Sequence, residues 1–330
     1  MTNSTLRLAL PSSGALQHPT MSFMRSCGLA VSRPNDRRYI AAIPSLPNAT
    51  VMFQRSSDIP GKVDEDSVDL AIVGKDQFLE NRREDGDTRI VLEELGFGRS
   101  RLVVAVPDSW IDVTSMSDLA DISVEFRSRG QDLRVATKYP RLIGRHLLAN
   151  GVNYFSVIPS DGTLEVAPAM GFADIIGDIT ESGTTIRENR LKEIESGTVM
   201  RSEACVVSRK LSESEDGGIL QTARLLLEMM EAHLHAGGYF EVTANMKGET
   251  DAEVAEYVMK RSDTSGLRGP TISTVFNPEG ERWFAVTVMV EEKRLLPAVA
   301  RLREIGGSSV RVSKPHYLFQ SECKSYARLM

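Results

Sequence analysis

Glu165-Val-Ala-Pro-Ala-Met-Gly171-Phe-Ala173-Asp174-Ile-Ile-Gly-Asp178-Ile-Thr180-Glu181-Ser182-Gly183-Thr184-Thr185 is the stretch around which this chain can be read. Ala173 to Ile179 is small and β-branched enough for a buried strand, and it runs directly into a hydroxyl-rich loop from Thr180 to Thr185. A loop of this composition at the carboxyl end of a strand can turn successive backbone N–H groups toward one anion, because Gly183 tolerates positive φ and brings no side chain. Thr180, Ser182, Thr184 and Thr185 add hydroxyl donors. Glu165 and Asp178 flank the loop, where they can accept hydrogen bonds from a pair of sugar hydroxyls. Alone, a Ser-Gly-Thr-Thr loop reads either as an ordinary turn or as a phosphate site suited to a ribose 5-phosphate.

The length of the pattern carries a further reading. Glu165, Gly171, Ala173, Ile176, Asp178, Ser182, Gly183 and Thr185 fall at spacings that resemble, position for position, the signature of the ATP phosphoribosyltransferases. That resemblance implies transfer of a phosphoribosyl group from 5-phosphoribosyl-1-diphosphate to N1 of ATP, the first step of histidine biosynthesis, with Mg²⁺ held mainly by the substrate phosphates. It assigns Glu165 and Asp178 to catalysis at the ribose. It assigns Thr180, Glu181, Ser182, Gly183, Thr184, Thr185, Arg55 and Lys138 to phosphoribosyl diphosphate binding. It also implies a two-lobed core like that of type II periplasmic binding proteins. A non-catalytic two-lobed module that senses a phosphorylated ligand is the alternative.

Composition bounds these readings. At 330 residues and about 150 per domain, two or three domains are expected. Hydrophobic residues at 41% and charged residues at 25% exclude a disordered chain. No apolar run reaches the roughly 18 residues of a membrane span, and Leu6 to Leu10 is too short for a signal peptide, so a cytoplasmic protein is expected. A net charge of −6 argues against a general nucleic-acid surface. Cys27, Cys205 and Cys323 are far apart and odd in number, which argues against disulfides and a zinc site. His233 and His235 read as solvated surface residues.

Taken in order, Leu6–Leu10 and an apolar-periodic segment near Thr20 to Cys27 form a β-loop-α unit, joined by Ser12-Ser13-Gly14. The loop is a candidate ligand surface. Where the family usually carries a lysine, Ser13 stands here. Thr50–Gln54 reads as a strand, Asp58 as the cap of a helix that Pro60 permits in its first turn, and Val68–Val73 as a strand. In isolation Arg55 reads as a surface ion pair and Asp76 as a helix cap; in the resemblance both face the crevice. Leu95-Gly96-Phe97-Gly98-Arg99-Ser100-Arg101 resembles the family's crossing between lobes, and Leu133 to Pro140 its Val-Ala-Thr-Lys-Tyr-Pro box. Ser12, Ser13, Gly14, Asp76 and Arg99 are thereby candidate ATP contacts. Residues 122–132 read as a surface insertion.

Glu203–Ser208 reads as a strand, which the resemblance returns to the first lobe. Glu213 to Gly218 is polar, and Ile219 to His235 reads as a linker helix with Leu225, Leu226, Met229, Met230 and Leu234 on one side. From Tyr239 onward the elements alternate as βαββαβ, a ferredoxin-like order. Gly266 to Ser273 resembles the regulatory domain of the long form of the enzyme, which implies histidine feedback, candidate contacts at Asn245, Leu267, Thr271 and Ser309, and a homo-hexamer. The expected fold is therefore α/β: a two-lobed periplasmic-binding-protein-like catalytic core with mixed sheets and a C-terminal ferredoxin-like (ACT-like) regulatory domain. The expected divisions are 1–107 with 197–218 for the first lobe, 108–196 for the second, 219–238 for the linker helix and 239–330 for the regulatory domain.

Overall fold

A computed structural model describes residues 5–35, 38–160, 162, 164–212, 217–260, 267 and 269–330. Residues 213–216 of the polar segment, and Gly266 and Arg268 of the regulatory motif, lie outside the described residues. The chain forms two compact units, Met1–Leu226 with Lys324–Met330, and Leu227–Cys323. The C-terminal segment from Lys324, expected in the regulatory domain, thus belongs with the first unit. There the Leu211 N–H donates to the Leu329 carbonyl.

The first unit opens with β1 (Leu6–Pro11), α1 (Gln17–Ser26), β2 (Ile40–Ala42), β3 (Ala49–Gln54), α2 (Ile59–Asp64), β4 (Leu70–Gly74), α3 (Lys75–Asn81) and β5 (Arg89–Leu92). A second sheet follows from β6 (Ser100–Pro107), α4 (Met116–Ser128), β7 (Leu133–Thr137), α5 (Pro140–Ala149), β8 (Phe155–Pro159), β9 (Ile175–Thr180), α6 (Thr184–Glu188) and β10 (Leu191–Ser202). β11 (Ala204–Ser208) then returns to the first sheet. The sheet orders are β2-β3-β1-β4-β11-β5 and β10-β6-β9-β7-β8. Both are mixed, so two lobes are joined by crossings at β5–β6 and β10–β11.

The lobes repeat one construction. In the first, Arg7 on β1 binds Asp69, just before β4, through its backbone N–H at 2.8 Å and its guanidinium at 2.7 and 3.1 Å. In the second, Arg134 on β7 binds Asp174, just before β9, at 2.8, 2.8 and 3.2 Å. The strand pairs are parallel, with Leu8 opposite Leu70 and Val135 opposite Ile175, so each ion pair sits in the same register. Parallel pairing puts both at the amino ends of the strands, away from the loops at the carboxyl ends. Burial alone would raise the Asp69 carboxyl, yet hydrogen bonds from Arg7 and Arg209 outweigh it and hold Asp69 below its usual range.

Several local expectations are corrected. Residues 122–128 are the second half of α4, not a surface insertion: Ser123 is fully buried and Phe126 packs on the second-lobe core. Asp58 precedes α2 without capping it; its carboxylate accepts from Ser57 Oγ. Asp76 lies inside the first turn of α3, with Gly74 at the cap position.

The second unit takes the later part of α7 (Gly217–Gly237), then β12 (Tyr239–Lys247), α8 (Asp251–Met259), β13 (Thr271–Val275), β14 (Trp283–Glu291), α9 (Leu295–Glu304) and β15 (Ser308–Ser313). A last helix, α10 (Lys324–Ala327), belongs to the first unit. The sheet order β13-β14-β12-β15 gives the βαββαβ fold. Val242, Ala244, Met246, Val286 and Val288 alternate onto one face beneath α8 and α9, with Val254, Ala298 and Leu302 as partners. Along α7, Leu225 is 45% exposed rather than on the packed side. His233 and His235 are half-buried, not solvated: His233 Nδ1 lies 3.3 Å from the His316 carbonyl. Among the described residues no helix is long and apolar enough to cross a membrane.

Candidate active site

β9 brings its functional groups to the carboxyl edge of the second sheet. Gly177 is required there because a Cβ would run into Ile143 of α5, so its lack of a side chain lets that helix close on the strand. Asp178 follows, and the strand ends at Thr180. Thr180 Oγ1 accepts the Gly183 N–H at 2.8 Å, which closes the loop, and Gly183 adopts φ +73°. Ser182 Oγ lies 2.9 Å from Thr184 Oγ1, and Arg187 Nη2 donates to the Ser182 carbonyl at 3.3 Å. The loop is therefore held by its own bonds while Glu181, Ser182, Thr184 and Thr185 stay exposed.

The floor beneath this loop was not foreseen from sequence. A Cβ on Gly183 would lie 2.8 Å from Glu193 Oε1 and 2.9 Å from Arg187 Nη1. Glu193 is in turn held by both Arg101 nitrogens, at 2.6 and 3.0 Å. This pairing joins two residues that lie on the neighbouring antiparallel strands β6 and β10 and are 92 positions apart in sequence. No local pattern in the sequence announces it.

Glu165, on a single 3-10 turn (Leu164–Val166), approaches Asp178 closely enough to act on it. Burial pushes the Asp178 carboxyl up to about 6; the Ile179 N–H lowers it, Glu165 raises it and Lys138 lowers it. Lys138 is exposed at the end of β7, between the buried Thr137 and Tyr139. Asp178, two residues before the loop, thus feels the charge of one carboxylate and one ammonium.

On the first lobe, β1 and β3 run parallel with Pro11 opposite Gln54, so Ser12-Ser13-Gly14 and Arg55 emerge side by side. The Ser12 N–H donates to the Gln54 carbonyl at 2.7 Å, leaving Ser13, Gly14 and Arg55 exposed. Arg99 is held by Glu203 at 3.1 Å, and Glu203 also accepts the Gly96 N–H at 2.6 Å. Arg99, Arg101, Arg201, Lys75 and Glu181 help line a cavity of about 510 Å³ at the crossing. Gly98, at φ +72°, is needed because a Cβ there would meet Leu16. Asp76 is turned away from the open surface, being 8% exposed with both oxygens bonded by Ser202 and Tyr139.

In the second unit, Asn245 and Ser309 lie on adjacent strands, β12 and β15, whereas Thr271, preceded by the exposed Leu267, lies on β13 at the opposite sheet edge. One copy of the sheet does not bring these four together. Among the described residues no group of three or more His, Cys, Asp or Glu could hold a metal ion.

Comparison with known proteins places the chain in a family. Residues 55–232 match the family profile described as ATP phosphoribosyltransferase, and residues 236–314 the one described as HisG, C-terminal domain. The chain is 40% identical to ATP phosphoribosyltransferase 1, chloroplastic, of Arabidopsis thaliana, across 98% of this chain and 80% of that one. It is 34% identical to the ATP phosphoribosyltransferase of Nitrobacter hamburgensis, across 98% of this chain and 97% of that one. In fold it is similar to a chain of the ATP phosphoribosyl transferase complex from Thermotoga maritima, with a TM-score of 0.50 and 23% identity over 69% of this chain and 99% of that chain. The chain belongs to the ATP phosphoribosyltransferase family.

Proposed function

We propose that the chain transfers the phosphoribosyl group of 5-phosphoribosyl-1-diphosphate to N1 of ATP, giving N1-(5-phosphoribosyl)-ATP and pyrophosphate. The observation that most supports this reading is the Thr180–Thr185 loop, closed by the Gly183 N–H on Thr180 Oγ1 directly after Asp178 at the end of β9. Departure of pyrophosphate breaks the anomeric C–O bond, builds positive charge on the ribose ring, and leaves the electron pair on the diphosphate. Glu165 and the ionised Asp178 accept hydrogen bonds from the ribose hydroxyls next to that cation. The 180–185 loop anchors the 5-phosphate, so binding energy remote from the reacting carbon orients it over the adenine. Arg55 and Lys138 balance the departing diphosphate, and Mg²⁺ bound to the phosphates supplies further charge neutralisation. Adenine N1 attacks with its own lone pair and needs no general base. Ser12, Ser13, Gly14 and Arg99 form the wall for ATP, with Ser13 supplying a hydroxyl where a cation would carry more charge.

The second unit is read as a histidine sensor. Thr271 on the edge strand β13 is separated by β14 from Asn245 on β12 and Ser309 on β15, which favours a site completed by a second copy in an oligomer such as a hexamer. Millimolar histidine should then inhibit the wild-type protein and give binding heat. Mixing the purified chain with ATP, phosphoribosyl diphosphate and Mg²⁺ should give the adduct's ultraviolet absorbance. No adduct under varied metal and pH would sink the transferase reading.

A further inference from the structure

Helix α3 of the first lobe and α5 of the second meet along a buried polar seam. At its inner end Asp76 Oδ1 accepts Ser202 Oγ–H at 2.5 Å and Oδ2 accepts the Tyr139 hydroxyl at 2.8 Å. Gln77 Nε2 donates to the same hydroxyl at 2.8 Å. One turn along α3, the two Glu80 oxygens accept the N–H groups of Arg141 and Leu142, each at 2.9 Å. These are first-turn donors that α5 cannot satisfy internally. The Arg141 guanidinium reaches back to the carbonyls of Arg82, at 2.7 Å, and Leu79.

The Tyr139 and Glu80 bonds join one lobe to the other, and the Ser202 bond ties the crossing strand to the same carboxylate. Separating the lobes would leave these groups without partners, so the seam opposes hinge rotation of the two lobes about their crossings. It also borders the chemistry. The Tyr139 N–H donates to Thr137 Oγ1 at 2.9 Å, with Thr137 fully buried. Lys138 is therefore the exposed apex of a turn pinned on both sides. Tyr139 feels the charge of Asp178, after the larger effects of its own burial and of Asp76.

We propose that the Asp76–Tyr139 hydrogen bond is a positioning latch, which sets Lys138 and Asp178 of the second lobe against the substrate wall of the first without touching substrate itself. The proposal rests on the transferase reading for its kinetic consequence but not for its geometry. Full-length protein with Tyr139→Phe, Asp76→Ala or both would be assayed for phosphoribosyl transfer. In parallel, spin labels at Lys62→Cys on α2 and Leu148→Cys on α5 report the spacing of the lobes.

The latch requires Tyr139→Phe to lower kcat roughly ten- to a hundredfold through misplacement with the KM for phosphoribosyl diphosphate little changed. It also requires the label distances to broaden and the double variant to fall no further than the worse single one. Should Tyr139→Phe fail to fold, Glu80→Gln, which turns one acceptor of the α5 donors into a donor, must broaden the same distances. Unchanged distances, or losses that multiply in the double variant, would overturn the latch. A wild-type protein without turnover refutes the transferase reading instead, and the distances alone then decide on the latch.

Discussion

Glu165, on the Leu164–Val166 turn, raises the proton affinity of Asp178 on β9, adding to the larger effect of burial that takes Asp178 to about 6. One carboxylate comes from a short 3-10 turn and the other from the end of β9. Lys138 lowers the proton affinity of Asp178 and so offsets part of this effect.

The rate should report this pair directly. With Asp178 near 6, kcat/KM should decline as pH falls through that value, because protonation removes the charge that stabilises the transition state. Glu165→Gln removes a charge that raises Asp178, so the acidic limb should move to lower pH even as the maximal rate falls. A pH profile of both proteins checks this. A limb that stays in place in Glu165→Gln contradicts the coupling.

Asp178→Asn should lower kcat by about a hundredfold or more, the charge being needed mainly in the transition state. It should not unfold the protein. A carboxyl raised in the folded state contributes stability below its unfolded pKa, near 4, and loses that contribution as pH rises through the folded value of about 6. At pH 7.5 the ionised group is thus a burden, and the amide should melt at the same or a higher temperature. Thermal melts at that pH, beside initial rates, test both halves.

Gly183→Ala combines a positive φ with a Cβ pressed against Glu193 and Arg187. The left-handed conformation alone costs a residue with a side chain about 1 kcal/mol, and the loop floor must also shift. The KM for phosphoribosyl diphosphate should rise about tenfold, equivalent to ~1.4 kcal/mol. A KM equal to that of the wild type would remove the loop from the binding site.

The repeated Arg–Asp pairs should differ in weight. The Asp69 side chain is fully buried between Arg7 and Arg209, whereas Asp174 is 13% exposed and its partner Arg134 is 42% exposed. Arg7 is itself 39% exposed, but Arg209 is only 14% exposed, and losing the buried carboxylate takes this partner from that cation, so Asp69→Ala should destabilise the protein more than Asp174→Ala. Asp69 is depressed in the folded state, so its contribution is present above the usual carboxylate value and is lost as pH falls through the folded one. Denaturant melts at neutral and acidic pH would show the difference between the two variants narrowing in acid.

What could be read from the sequence was contiguous or periodic. Asp251–Met259 has the bounds the sequence suggests because its apolar residues recur at helical spacing, with Val254 and Val258 buried one turn apart, and Thr271–Val275 also matches its expected bounds. The Glu165–Thr185 stretch exposed its loop because all its groups lie within one strand-turn unit. The seam was not legible: Asp76, Tyr139 and Ser202 are separated by 63 and 126 positions, and no local pattern joins them. Asp76 alone suggested a helix cap, and only the packing of α3 on α5 shows that its oxygens face the other lobe and the crossing. Residues 122–132 read as an insertion because they look longer than the family's usual connection, yet Ser123 and Phe126 continue the packed face of α4.

The most direct test follows all phosphorus-bearing species by ³¹P nuclear magnetic resonance while the purified wild-type protein is given ATP, 5-phosphoribosyl-1-diphosphate and Mg²⁺. The account requires pyrophosphate and a phosphoribosyl adduct of ATP to appear in equal amounts, with the ATP triphosphate chain intact and both signals greatly slowed in Asp178→Asn. Pyrophosphate without an adduct, cleavage of the triphosphate, or equal rates in the two proteins would contradict it.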